Sequence, residues 1–256
     1  MKILASDYDG TYRYEPKVTK EDLDAVKRWQ KEGNLFVMVT GRSMESFTKE
    51  IEVNGFHCDY IIANNGGVIY DGDMNQMKVS YMDFEQALLL IDYIRTLPCA
   101  SYVINDGYHR HRVVIDENQE DHKYADMPQT MGEQELLANG KIAQIVISLN
   151  DDDLAQEIVR FVNQQFNGYM QAYANRNCVD IVPSGISKAG GLEFVMQYAG
   201  IKESEVYPIG DSYNDLPMIE AFNGFCVEAA PQEIKDSSSH VYLSVSDCIN
   251  DLLKQK

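Results

Sequence analysis

Basic side chains are scarce in this sequence. Its 22 Lys and Arg face 40 Asp and Glu, a formal net charge of −18. Duplex nucleic acid is held by Lys and Arg that displace counterions from phosphates, and no basic stripe is present to do so. The same imbalance opposes attachment to anionic membrane surfaces. Long apolar runs are missing too, and none approaches the ~20 residues of a bilayer span. The opening Met1-Lys2-Ile3-Leu4-Ala5-Ser6 runs straight into Asp7 and Asp9, which is not the pattern of a secretory leader. Cysteine is sparse, at positions 58, 99, 178, 226 and 248. An odd number with no CxxC pair argues against a disulfide framework or a thiolate zinc site, and suggests reduced thiols in a cytoplasmic protein. What remains is a small-molecule partner, including an anionic one, because a local site can reverse the sign of the global charge.

What is present is ordinary globular material, 45% hydrophobic and 24% charged. A chain of 256 residues suits one large domain or two small ones. Short apolar runs at Lys2–Ser6, Leu35–Val39 and Tyr60–Ala63 read as buried strands. Helical spacing follows Thr19 and Ser43, each placed to cap. A hairpin is expected from 68–70 and 78–81 around Asp71-Gly72-Asp73. The middle differs. A helix capped by Asp83 precedes strands near 102–105 and 109–115, a polar loop over 116–130, a strand at 142–149 and a helix through Leu154, Ile158 and Val162. A strand pair over 170–174 and 178–182 ends it. Then strand and helix alternate again, with Ser187 and Ser246 as caps and strands at 206–209, 224–227 and 241–244. The pattern implies an α/β fold, a doubly wound (Rossmann-like) parallel sheet with an inserted α+β cap. The expected domains are 1–82 with 186–256 as core and 83–185 as cap.

In such a sheet the ligand lies beyond the carboxyl ends of the strands. Polar clusters sit there. Asp7-Tyr8-Asp9-Gly10-Thr11 directly follows a buried strand. Two carboxylates so placed repel each other unless a cation joins them, and Mg²⁺ prefers such hard oxygen ligands. The alternative is a solvated Asp-Gly turn. Gly210-Asp211-Ser212-Tyr213-Asn214-Asp215 also follows a strand. Asp211 can add a third carboxylate, and Asn214 and Asp215 can orient Lys188 or metal-bound water. Thr40-Gly41-Arg42 offers a hydroxyl and successive N–H groups at a helix start, a phosphate cradle. Lys188 stands in the first turn of its helix, where the macrodipole disfavours a cation. Such local conflicts with propensity concentrate at functional sites.

Together Asp7-x-Asp9-Gly10-Thr11, Thr40-Gly41-Arg42, Gly185-Ile-Ser-Lys188 and Gly210-Asp211-x-x-Asn214-Asp215 resemble the four motifs of haloacid dehalogenase-like phosphatases. Their order and spacing resemble the Cof-type sugar-phosphatase branch, whose α+β cap lies between the second and third motifs. The resemblance implies a phosphoric monoester hydrolase acting on small phosphorylated metabolites. It implies Asp7 as nucleophile and Asp9 as acid/base, and Mg²⁺ held by the Asp7 carboxylate, the Asp9 backbone carbonyl and Asp211. Thr40, Gly41, Arg42, Lys188 and Asn214 would bind phosphate or substrate. Spacing alone does not say which of Asp7 and Asp9 attacks. The sequence departs from the family at Ser6, Tyr8 and Tyr12, where apolar residues are usual, and these polar groups are expected at the edge of the site.

Tyr108-His109-Arg110-His111-Arg112 is a basic island in an acidic chain. On a strand, Tyr108, Arg110 and Arg112 share one face and the histidines the other. Either a face meets substrate, or an edge strand carries charge that prevents pairing. Arg176, Asn177 and Asp180 are further pocket candidates. Two other functions fit the motifs, a phosphosugar mutase and a non-catalytic phosphometabolite sensor. A sensor has no need of a second Asp as acid/base.

Overall fold

A computed structural model gives the fold and describes residues 1–14, 16–121, 123–127, 131–175 and 177–254. In chain order the elements are β1 (Ile3–Asp7), α1 (Lys20–Lys31), β2 (Leu35–Val39), α2 (Met44–Asn54), β3 (Tyr60–Ala63), β4 (Val68–Asp71) and β5 (Gln76–Val79). Next come α3 (Phe84–Ile94), β6 (Ser101–Asn105), β7 (Arg110–Val114), α4 (Glu133–Ala138), β8 (Gln144–Ser148), α5 (Asp152–Gln165), β9 (Met170–Asn175) and β10 (Cys178–Pro183). The chain closes with α6 (Lys188–Tyr198), β11 (Val206–Gly210), α7 (Leu216–Ala221), β12 (Phe225–Val227), α8 (Gln232–Ser237), β13 (His240–Tyr242) and α9 (Val245–Leu252). No described helix is long and apolar enough to cross a membrane.

The chain divides into two compact units. One holds Met1–Thr40, Thr48–Lys78 and Ser187–Lys256; the other holds Gly41–Phe47 and Val79–Ile186. The first is built on an eight-stranded sheet in the order β13-β12-β11-β1-β2-β3-β4-β5. It is parallel from β13 to β3, and β4 returns antiparallel to β3. The chain steps from β1 to β2 on one side and later sets β11 on the other. That reversal opens a crevice at the carboxyl end of β1, where doubly wound sheets take their ligands. Ile3, Ala5, Val37, Val39 and Ile62 pack with Leu192 and Val195 of α6 to hold that end in place.

The second unit is a five-stranded antiparallel sheet, β7-β6-β8-β10-β9. Alternation sends Tyr102, Ile104, Ile145, Ile147, Val179 and Ile181 into a core with Leu90 and Ile91 of α3 and Ile158 and Val162 of α5. The other face carries Val103, Val146 and Cys178, packed against Tyr124 and Met127 of the polar loop.

Several local expectations shift. The hairpin's return strand begins at Gln76, because Asp71 Oδ1 accepts from the N–H groups of Asp73 and Asn75 and closes the turn early. Ser244, not Ser246, caps α9, its hydroxyl accepting from the Asp247 N–H at 3.2 Å. The Ser246 N–H instead donates to Asp22 Oδ1 at 2.7 Å. Helices α4 and α8 are additions, each six residues with one buried apolar side chain, Leu136 or Ile234.

Tyr8 and Tyr12 are not at the edge of a site. Tyr12 is fully buried, with its ring 5.2 Å from Phe36 and 5.4 Å from Phe56 between centroids. Among the described residues its hydroxyl has no hydrogen-bond partner, whereas Tyr8 donates to Glu50 at 2.7 Å. A buried hydroxyl without a partner costs stability, and its removal restores about 1 kcal/mol. Tyr12→Phe is therefore expected to melt at or above the wild-type temperature. A clear fall in a thermal melt would show that the hydroxyl is paired.

Candidate active site

Asp7 ends β1, and the chain then doubles back sharply. The N–H of Tyr12 donates to the Asp7 carbonyl at 3.2 Å, and that of Gly10 to the Arg13 carbonyl at 2.9 Å. Gly10 sits at φ +98°, and a Cβ there would strike the Asp211 carboxylate. Only glycine both makes this turn and lets the β11 end approach the β1 end.

Lys188, at the start of α6, is 1% exposed. Its ammonium donates to Asp7 Oδ1 at 2.5 Å and to Asp215 Oδ1 at 2.6 Å. Asp215 Oδ2 in turn accepts from the N–H groups of Asp211 and Ser212, each at 3.0 Å, and from the Ser212 hydroxyl at 3.2 Å. Asp215 is thus fully engaged as the brace of Lys188. Thr11 donates its hydroxyl to Asp211 Oδ1 at 2.8 Å. Asn214 donates from Nδ2 to Asn65 Oδ1 at 3.1 Å, and both are buried. Thr40, also buried, fixes the loop after β3, with its carbonyl accepting from the Asn65 N–H at 3.0 Å.

Asp9 is turned outward. Its side chain is 44% exposed and pairs with Arg13 at 2.8 Å. It lies outside the cluster of Asp7, Asp211 and Asp215, whose nearest oxygens are within 4.8 Å of one another. A role for Asp9 as a ligand through its backbone carbonyl does not involve that carboxylate. In the second unit, Arg42 donates to Ser46 Oγ at 3.4 Å, and the Gly41 carbonyl accepts from Gln144 Nε2 at 3.1 Å. Arg112 is bound to the buried Asp121 at 2.7 Å. Asn177 bonds to the Leu149 carbonyl through Nδ2, and Asp180 is buried on β10. Arg176 lies outside the described residues. Tyr108 and His109 belong to the turn before β7, with the His109 N–H held by Asp106 at 2.8 Å. The His109 ring nitrogen Nδ1 also lies 3.2 Å from Asp106 Oδ2.

The electrostatics follow from burial. Desolvation pushes the Asp7 carboxyl well above the ordinary carboxylate range; Lys188 pulls it down, while Asp215 and Asp211 push it up. Burial alone would lower the Lys188 ammonium, but Asp215 and Asp7 outweigh it and hold the group above its usual value. Asp7 and Asp215 therefore share one ammonium, with the Asp211 carboxylate close by. The donors are hard oxygens carrying more negative charge than Lys188 balances, and this set fits a hard divalent cation. Asp7 and Asp211 are the side chains placed to receive it, since Asp215 is committed to Lys188 and the backbone.

Sequence reading singled out Asp7, Lys188, Asp211 and Asn214, and the structure gathers them in the first unit. It left the role of Asp215 open and did not rank Thr11 or Asn65 as site residues. Asn65 carries a signal, a Gly-Gly pair after a strand that ends in two asparagines at positive φ.

Known proteins resemble this chain along nearly its whole length. The 5-amino-6-(5-phospho-D-ribitylamino)uracil phosphatase YwtE of Bacillus subtilis is 25% identical over 272 residues, spanning 94% of this chain and 92% of that one. Among solved structures, a haloalkanoate-superfamily phosphatase from Bacteroides thetaiotaomicron superposes with a TM-score of 0.79 at 23% identity, covering 99% of this chain and 94% of that one. A subclass IIB sugar phosphatase superposes at 0.80 with 17% identity, covering 100% and 98%. These two show the shared fold, an α/β parallel-sheet core with a cap. The family described as haloacid dehalogenase-like hydrolase matches residues 4–249. With a match that spans nearly the whole sequence, the chain belongs to the haloacid dehalogenase-like hydrolases.

Proposed function

We propose that this protein is a Mg²⁺-dependent phosphatase of small phosphate monoesters, sugar phosphates or related metabolites, working through an aspartyl-phosphate. The observation that carries the reading is the buried Asp7–Lys188–Asp215 cluster beside Asp211 at the end of β1. The Bacillus relative is named for a substrate whose phosphate sits on a polyol chain, which supports the substrate class.

In this reading Asp7 attacks phosphorus in line. The ester P–O bond breaks as the Asp7 oxygen bonds to phosphorus. Asp9 leaves Arg13, takes up a proton from solvent and, now a carboxylic acid, gives it to the departing oxygen. It then takes a proton from the water that cleaves the acyl phosphate, restoring Asp7 and releasing inorganic phosphate. Lys188 orients Asp7 and meets phosphoryl charge, and Asp215 holds Lys188 in place. Thr40, Gly41, Arg42 and Asn214, with N–H groups near Asp9–Thr11, complete the phosphate and substrate contacts. A Mg²⁺ bound by Asp7, Asp211 and the Asp9 carbonyl supplies charge that offsets repulsion between carboxylate and phosphate. The five described cysteines are unpaired and buried, which suits a cytoplasmic enzyme.

The test is phosphate release across sugar, nucleotide and cofactor phosphates, with Mg²⁺ and without a bisphosphate activator. Release identifies a hydrolase; a requirement for the activator points to a mutase, and binding without turnover to a sensor. Metal binding has its own readout. At about 100 times its dissociation constant, Mg²⁺ is expected to stabilise the fold by about 2.7 kcal/mol, reversed by EDTA. Asp211→Asn should abolish that thermal shift; a shift that persists would place the ion elsewhere.

A further inference from the structure

Three neighbouring residues after β3 share an unusual backbone. Asn64, Asn65 and Gly66 stand at φ +50°, +54° and +108°. Residues with side chains rarely adopt this left-handed region, and strain of this kind concentrates at functional sites. Both asparagines are buried. The turn meets two motif loops through its backbone. The Asn65 N–H donates to the Thr40 carbonyl at 3.0 Å. A Cβ at Gly66 would strike the Ser187 carbonyl, and Ser187 caps the helix that begins with Lys188. Asparagine and glycine both tolerate this conformation, so the backbone contacts alone do not call for asparagine at position 65.

What asparagine adds is an oxygen. Asn65 Oδ1 accepts from Asn214 Nδ2 at 3.1 Å. On the other side, Asn214 Oδ1 accepts from the Ser212 hydroxyl at 2.6 Å, a shorter contact than the 3.2 Å from that hydroxyl to Asp215. The two contacts leave the Asn214 amide one orientation, because a flip would set oxygen against oxygen at Asn65. One Nδ2 hydrogen goes to Asn65. The second has no partner among the described residues. Asn214 is buried, and a buried donor left open costs free energy that an accepting ligand recovers. A phosphoryl oxygen accepts such an N–H, whereas the amide oxygen would repel it. Asn65, Ser212 and Asn214 all belong to the compact unit that holds Asp7, Lys188 and Asp211. We propose that Asn65 and Ser212 are positioning residues for the reaction, setting the Asn214 amide so that it offers an N–H, and not its oxygen, to the substrate's phosphate. This rests on the phosphatase reading and gives roles to two residues that it leaves without one.

Asn65→Gly separates the side chain from the turn. Glycine takes φ +54° freely and keeps the N–H to Thr40, so the variant should melt close to wild type. Its kcat/KM on p-nitrophenyl phosphate should fall about 10- to 100-fold, the cost of loosening a group that orients a site residue. Ser212→Ala should lose activity in the same range without touching the turn, and it decides the matter alone if the glycine variant does not fold. Coupling is the readout that a merely structural role would not give. In an Asn214→Ala background neither substitution should lower kcat/KM further, because no amide is left to orient. Full activity in Asn65→Gly would make Asn65 a turn former only and overturn the positioning. Losses that persist undiminished in the Asn214→Ala background would overturn it too, while leaving the phosphatase reading intact. A wild type that releases no phosphate from this ester or from the wider panel would remove both.

Discussion

Asp7→Asn is expected to lower phosphate release from every monoester by about four orders of magnitude or more, the scale of losing a nucleophile. The same variant should melt at or above the wild-type temperature in EDTA. The first effect follows from chemistry. An amide fills the same space at the end of β1 but offers no anionic oxygen to attack phosphorus. The second follows from linkage. The Asp7 carboxyl is raised in the folded state, first by burial and then by Asp215 and Asp211 against the pull of Lys188. For an acid whose folded pKa lies above its unfolded one, ionisation favours the unfolded chain. Stability is then lost as pH rises from the unfolded value towards the folded one. Asparagine has no such loss, and Lys188 still keeps Asp215. The gap between variant and wild type should therefore widen as pH rises above the ordinary carboxyl range. Activity near the wild-type level would remove Asp7 as nucleophile. A variant much less stable at neutral pH would show that the Asp7–Lys188 contact outweighs the cost of burying the charge.

This opposition of function and stability explains why the site was legible. A carboxylate pair directly after a buried strand, and a lysine in the first turn of a helix, conflict with local preference, and the conflict points to a site. Asp215 was less legible for the opposite reason. An acid before a helix is what capping asks for, so its local pattern is ordinary. Its partner Lys188 is 27 residues distant, and only the fold brings them together. The Glu45–Arg110 approach is further out of reach, because the two residues are 65 positions apart and only the fold brings them together. Helix α5 shows through the period of its 14 residues, and β2 shows as an unbroken apolar run. Helices α4 and α8 do not, because one buried side chain each sets no period. Tyr12 shows the limit in a third way. A polar residue within a motif reads as part of the site, yet aromatic packing with Phe36 and Phe56 takes it into the core.

Lys188→Met should cost both activity and fold. The methionine fills much of the same volume but leaves Asp7 and Asp215, with Asp211 nearby, without a counter-charge. Removing one partner of a buried ion pair costs about 3–5 kcal/mol. At roughly 2–4 °C per kcal/mol for a chain of this class, melting should fall by about 6–20 °C. The sign agrees with the lysine's titration. Its folded pKa is raised because Asp215 and Asp7 outweigh burial, so its contribution is fully present at neutral pH and would fade as pH rises from the ordinary lysine value towards the raised one. Phosphate release should drop by at least about a thousandfold, since Lys188 both orients the nucleophile and meets the phosphoryl charge. Adding Asp215→Asn separates the two losses. The neutral amide no longer needs the ammonium but still offers an acceptor to the Asp211 and Ser212 N–H groups, so the double variant should regain much of the stability. It should regain no activity. A double variant as unstable as the single one would mean that Asp7 and Asp211 carry most of the repulsion. A double variant that recovers turnover would show that Lys188 serves the fold and not the reaction.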